Sequence, residues 1–122
     1  MGIVHHSRYY PWFEIARGDF IKQIGLKYSE LEAKGIMMPL IETGAKYHGS
    51  CTYEDEVVIE TKLKRLTPAK CEFGYEVFKL PERQLITTGK TVLGFVDVNM
   101  RPINIKKAHP EYYNKLEMLI EE

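Results

Sequence analysis

After Gly35 the hydrophobic period of this chain changes from that of a helix to that of strands, and this change bounds what the chain can fold into. Before it, from Ser7 to Ile24, apolar residues recur at Tyr9, Trp12, Phe13, Ala16, Phe20, Ile21 and Ile24, the spacing of one long helix. Ser7 fits an N-cap, Pro11 falls in the opening turn where its missing N–H costs little, and Gly25 follows as a stop. A stripe this rich in large side chains predicts a helix buried on most sides. Residues 28–34, YSELEAK, predict one or two further turns, capped by Ser29 and stopped by Gly35.

Beyond Gly35, MPLIETGAKYH, EVVIETKLKRL, KCEFGYEVFKL and RQLITTGKTVLGFVDVNM alternate or are rich in β-formers, each bounded by turn signals such as HGSCTYED, TPA and LPER. Four such segments in succession predict an antiparallel meander. In the second, Val57, Ile59, Thr61 and Leu63 share one face, and Val58, Glu60, Lys62 and Lys64 share the other, so one side of the sheet meets the core. Gly89 and Gly94 inside the last segment predict a bend or bulge. HPEYYNKLEMLIEE predicts a closing helix with Pro110 in its first turn and Tyr112, Leu116, Leu119 and Ile120 along one side. The class is α+β: a sheet curled over a long helix, in one domain.

At 122 residues the chain is long enough to bury its own core. Seventeen basic residues balance seventeen acidic ones and no basic stripe stands out, which disfavours nucleic acid as a partner. No apolar run approaches the roughly 20 residues of a membrane helix, and no secretory pattern is present, so the chain reads as cytoplasmic. Cys51 and Cys71 lack C-x-x-C spacing and read as free thiols.

The tempting motifs are mostly weak. TTGKT lacks the glycine a phosphate loop needs five positions earlier, where Gln84 stands. His5, His6, His48 and His109 show no metal-ligand spacing, so no metal is expected. The loop-to-helix junction at residues 2–8 is different: unpaired N–H groups at a helix start polarise a carbonyl or hold an oxyanion, and Gly2 allows close approach of a ligand. Every helix has such an end, however, so on spacing alone the plainer reading of the junction is structural. Glu14 and Asp19 are either solvated carboxylates or, for a buried Glu14 with a raised pKa, a general base.

The blocks MGIVHHSRYYPWFEIARGDFIKQIGL, YSELEAKGIMMPLIETGAKYHGSCTYEDEVVIETKL, FGYEVFK and GKTVLGFVDVNMRPINI together resemble the hotdog-fold acyl-CoA thioesterases, in particular the 4-hydroxybenzoyl-CoA thioesterase and YbgC-like branch. The resemblance covers essentially the whole chain. Gly2, Val4, His6, Tyr9, Trp12, Phe13, Glu14, Ala16 and Arg17 fill the family's opening pattern D-x-x-G-x-V-x-(H/Y)-x-x-Y-x-x-W-F-E-x-A-R. Tyr47, Ser50, Tyr53, Asp55 and Glu56 fill a second pattern, at a turn between strands.

The resemblance implies a hotdog fold, hydrolysis of an acyl-CoA or related thioester to acid and thiol without cofactor, and a homodimer or homotetramer whose active site lies between subunits. The edge strand near residues 38–48 is the expected dimer seam. The resemblance places the family's aspartate, which attacks the thioester or activates water, three positions before Gly2 and so ahead of Met1, after a first β-strand; a strand missing there leaves a sheet edge unpaired. Two explanations compete: translation assigned from an internal methionine, or a natural short form that is inactive, or that uses His6 or Glu14, and acts as a non-catalytic acyl-CoA binding module. The site residues implied are the His6 amide as oxyanion donor with its imidazole as a positioning or proton-transfer group, Gly2 and Glu14 beside it, and Tyr9 against the substrate. Arg8 stands where many relatives have asparagine. Lys64, Arg65 and Lys70, flanking a turn, either meet CoA phosphates or are simply solvated.

Overall fold

The computed structural model describes residues 9–23, 25–52 and 54–120. Helix α1 (Tyr9–Lys22) and the short α2 (Tyr28–Ala33) precede strands β1 (Leu40–Tyr47), β2 (Val57–Leu66), β3 (Lys70–Lys79) and β4 (Gln84–Gly94); α3 (Ile105–Ala108) and α4 (Pro110–Glu117) follow. The expected N-cap, Ser7, lies outside the described residues.

α1 ends as its sequence demands. Gly25 takes φ +77°, and the Gly25 and Leu26 N–H groups turn back to the carbonyls of Lys22 and Ile21. Gly35 (φ +81°) ends α2 the same way, with Ile36 N–H donating to the Leu31 carbonyl at 2.9 Å. The expected cap at Ser29 is corrected: the N-cap is Lys27, without a side-chain bond, and Ser29 sits inside the first turn.

The four strands form one antiparallel sheet, but in the order β1-β4-β3-β2. Only β2, β3 and β4 make the expected meander; β1 crosses to the far edge and pairs with β4 from Leu40↔Leu93 to Tyr47↔Thr87. Loop length explains the difference. Residues 67–69 and 80–83 are hairpin links, whereas residues 48–56 are long enough to pass across the end of the sheet. The bulge in β4 falls at Ile86, between the pairs Val77↔Thr87 and Phe78↔Leu85, and not at either glycine. The freed Ile86 carbonyl accepts from both His48 and Gly49 N–H (2.8 and 3.1 Å), which ties the crossing loop to the sheet.

The inner face of the sheet carries Leu63, Cys71, Phe73, Tyr75, Val77 and Leu93, which join Tyr9, Phe13 and Ile21 of α1 in the core. Fully burying side chains of this size contributes about 1.5–3 kcal/mol each. The expectation that α1 is buried on most sides needs correction. One sheet covers one side of a helix, and Glu14, Ile15, Asp19 and Lys22 face outward. In α4, Pro110 opens the helix as expected, and Tyr113 with Leu116, rather than Tyr112, is the buried pair.

Candidate active site

The start of α1 rests on a small buried polar cluster. The Tyr9 ring is 2% exposed; it meets Trp12 edge-on (5.0 Å between centroids) and Tyr47 of β1 in the same manner (5.4 Å). Its hydroxyl lies 3.6 Å from the Cys51 sulfur. Burial pushes the Tyr9 hydroxyl up to about 12, and the Cys51 contact adds to the shift. Fully buried Thr87 stands beside the Tyr9 hydroxyl, and its contact opposes that shift. Tyr9 therefore anchors the first turn of α1 and has its hydroxyl turned inward.

Two turns further on lies a second polar cluster that the sequence did not reveal. Arg17 Nε donates to the Tyr28 hydroxyl (2.8 Å), and its Nη1 donates to Tyr75 (3.1 Å) and Thr91 (3.2 Å), while Tyr75 and Thr91 share a hydrogen bond of 2.7 Å. Burial raises the Tyr28 hydroxyl to about 12 despite the opposing pull of the guanidinium. The Cys71 thiol is also pushed up to about 12 by burial, so it carries little thiolate character.

Gly2 and His6 lie outside the described residues. Glu14 is exposed rather than buried; with Arg17, Tyr28, Met38 and Leu93 it lines an open cavity of about 520 Å³. The basic residues are divided between two clefts on the sheet face away from α1. Lys64 folds its alkyl chain over Gly74. Arg65 and Lys70 line a separate cleft of about 190 Å³ with Lys90, Glu42 and Glu72. The Thr67 hydroxyl builds the turn between them by accepting from Ala69 and Lys70 N–H. Among the described residues no three of His, Cys, Asp and Glu gather as a metal site, and no helix is long and apolar enough to cross a membrane. A groove of about 690 Å³ runs between α1 and β2, the last strand of the sheet on that side among the described residues, lined by Trp12, Ile15, Phe20, Val57 and Ile59 with Asp19, Glu60 and Lys62 at the rim.

A helix laid across an antiparallel sheet of this order is also what known proteins show. The sequence profile of the Thioesterase-like superfamily matches residues 1–116. The chain belongs to that superfamily. Among solved structures, a DHNA-CoA thioesterase from Staphylococcus aureus superposes on this thioesterase-like fold with TM-score 0.89 at 28% identity, over 97% of this chain and 79% of that one. A hypothetical protein, TT1821, from Thermus thermophilus superposes with TM-score 0.87 at 31% identity, over 98% of this chain and 88% of its own. YneP of Bacillus subtilis, provisionally named an acyl-CoA thioesterase, is 27% identical over 117 residues, 96% of this chain and 85% of YneP.

Proposed function

We propose that this protein hydrolyses acyl thioesters, with an acyl-CoA as substrate, to a free acid and a thiol. The observation that carries the reading is the superfamily match along residues 1–116, joined to a close structural likeness to a CoA thioesterase.

In the proposed mechanism the thioester carbonyl sits against the start of α1. In this reading the His6 N–H, from the stretch just ahead of α1 in the sequence, stabilises the charge that grows on the carbonyl oxygen as water adds. Gly2 lets the chain approach the acyl group, and the His6 imidazole orients the substrate or hands a proton to the departing thiolate. A carboxylate takes the proton from the attacking water. The family pattern puts that group on an aspartate three positions before Gly2; Glu14 is the carboxylate of α1 nearest this end of the helix. Tyr9 supports the site from beneath through its ring and its contact with Cys51. A second copy completes the site along the outer edge of β1, which no strand pairs among the described residues and where Leu40 and Ile41 are exposed. Both cysteines are free and buried, which suits the reducing cytoplasm.

The test is thiol release from short, medium, long and aromatic acyl-CoAs. It is run on this chain and on a form carrying, ahead of Met1, a strand and an aspartate three residues before Gly2. The expected result is turnover that rises with the added segment and falls by orders of magnitude when the aspartate becomes asparagine. Binding of CoA esters without turnover by both forms replaces the enzyme with a binding module.

A further inference from the structure

Arg17 sits half-buried on the sheet-facing side of α1 and has only neutral partners: the hydroxyls of Tyr28, Tyr75 and Thr91. No carboxylate among the described residues lies within ion-pair distance of it. Taking a cation out of water without a counter-charge is costly, and an apolar residue of similar length packs there more cheaply. What the guanidinium supplies is direction. Its planar fork of donors is satisfied in one orientation relative to three hydroxyls, whereas an apolar contact tolerates sliding.

The three acceptors come from three elements, α2, β3 and β4, so the fork ties the helix to both neighbours at once. One turn earlier, Phe13 makes the companion contact. Its ring stacks on Tyr75 (4.4 Å between centroids, 9° between planes) and fills the space above Gly89, where a Cβ would collide with it. Tyr75 thus serves both contacts, with its face to Phe13 and its hydroxyl to Arg17. Two keyed contacts at i and i+4 along one face fix both the translation of α1 along the sheet and its roll.

We infer that Arg17 is a positioning residue: with Phe13 it sets the register of α1 on the sheet and so places the N-terminal amides of that helix against the substrate. The inference rests on the proposed thioesterase chemistry, in which those amides polarise the carbonyl. A displacement of the order of 1 Å at such donors costs as much as roughly 100-fold in rate.

The experiment compares Arg17→Met and Arg17→Lys with the unsubstituted chain, in the form that turns over acyl-CoA, well below their melting temperatures. The expected result is a fall in kcat of about 10-fold or more with KM changed less than about 3-fold. Lysine does not rescue, because a point charge does not bridge three hydroxyls. Tyr75→Phe shifts kcat in the same direction by less. A purely structural Arg17 lowers the melting temperature and leaves kcat alone, which overturns the inference. Amide hydrogen exchange is measured on the same proteins and decides the matter even where no form hydrolyses a thioester. Faster exchange confined to residues 9–22 of Arg17→Met, with β3 and β4 unchanged, supports a register lock; unchanged exchange in α1 refutes it. Failure of the thioesterase reading is seen separately, as absence of turnover in every form, including the unsubstituted one.

Discussion

The ring of Phe13 occupies the place a side chain at position 89 would take: a Cβ built on Gly89 collides with Phe13 Cε2 and Cζ. The glycine is a slot in β4 that lets α1 lie close on the sheet. Gly89→Ala is expected to destabilise the fold by about 1–3 kcal/mol, the usual penalty of overpacking a well-filled core. Gly44→Ala is the control, because a Cβ at Gly44 meets nothing within 4 Å, and its effect is expected within about 0.5 kcal/mol. Urea unfolding of the two variants beside the parent chain checks both values.

That slot marks where local pattern stops being informative. The α1 stripe and the alternation in β2 and β3 were readable because each repeats with the period of its element, and the observed bounds of α1 and the strands fall within the segments that the sequence marks out. Gly89 was visible as an irregularity, yet a bulge and a helix slot look alike in one dimension. The sheet order was not readable, since hydrophobic alternation says which face is buried and nothing about which edge β1 joins. Arg17 was invisible as a structural residue. Its acceptors lie 11, 58 and 74 positions away, so on the helix it resembles any solvated cation. The junction carrying Gly2 and His6 was legible only through family likeness, because every helix start offers the same amides.

Stability should fall in alkali before it does in mild acid or at neutrality. Burial raises Cys71 from 9.0, and Tyr9 and Tyr28 from 10.0, each to about 12 in the folded chain. A group whose folded pKa is raised stays protonated in both states below its unfolded pKa, so its full contribution is present there. Between the two values only the unfolded chain releases the proton, and stability declines. Urea midpoints should therefore hold steady up to about pH 9 and drop between about pH 9 and 12. Tyr28→Phe should flatten the part of that decline above about pH 10. A midpoint that does not move between pH 9 and 11.5 contradicts the burial of these groups.

The outer edge of β1, unpaired among the described residues, should associate with a second copy. Leu40 and Ile41 are 56% and 59% exposed at the start of this strand, an arrangement that a monomeric sheet edge is expected to avoid. Ile41 sits at the register shift between Leu40 and Glu42, so replacing it leaves the remaining ladder to β4 intact. Ile41→Glu is expected to convert a dimer or tetramer into smaller species in sedimentation velocity and to remove any dependence of melting temperature on protein concentration. An unchanged sedimentation coefficient moves the seam elsewhere.

The cleft at the β2–β3 turn offers the last prediction. Arg65 and Lys70 line it beside Lys90, but acids are close: Glu72 lies opposite Arg65 in the ladder, and Glu42 accepts an ion pair from Lys90 at 2.5 Å. Exposed pairs of this kind contribute only about 0–1 kcal/mol, so a phosphate displaces them at small cost and gains charge-assisted bonds in return. The double substitution Arg65→Gln with Lys70→Gln is then expected to raise KM for an acyl-CoA by roughly 3–10-fold and to leave kcat unchanged, since the cleft lies on the sheet face away from α1. The same variant should bind an acyl-pantetheine, which lacks the nucleotide phosphates, as well as the parent does. Raised salt should weaken acyl-CoA binding to the parent more than to the variant, because the contact being screened is between exposed charges. If KM for the CoA ester does not move, Arg65 and Lys70 serve only to keep this turn in water.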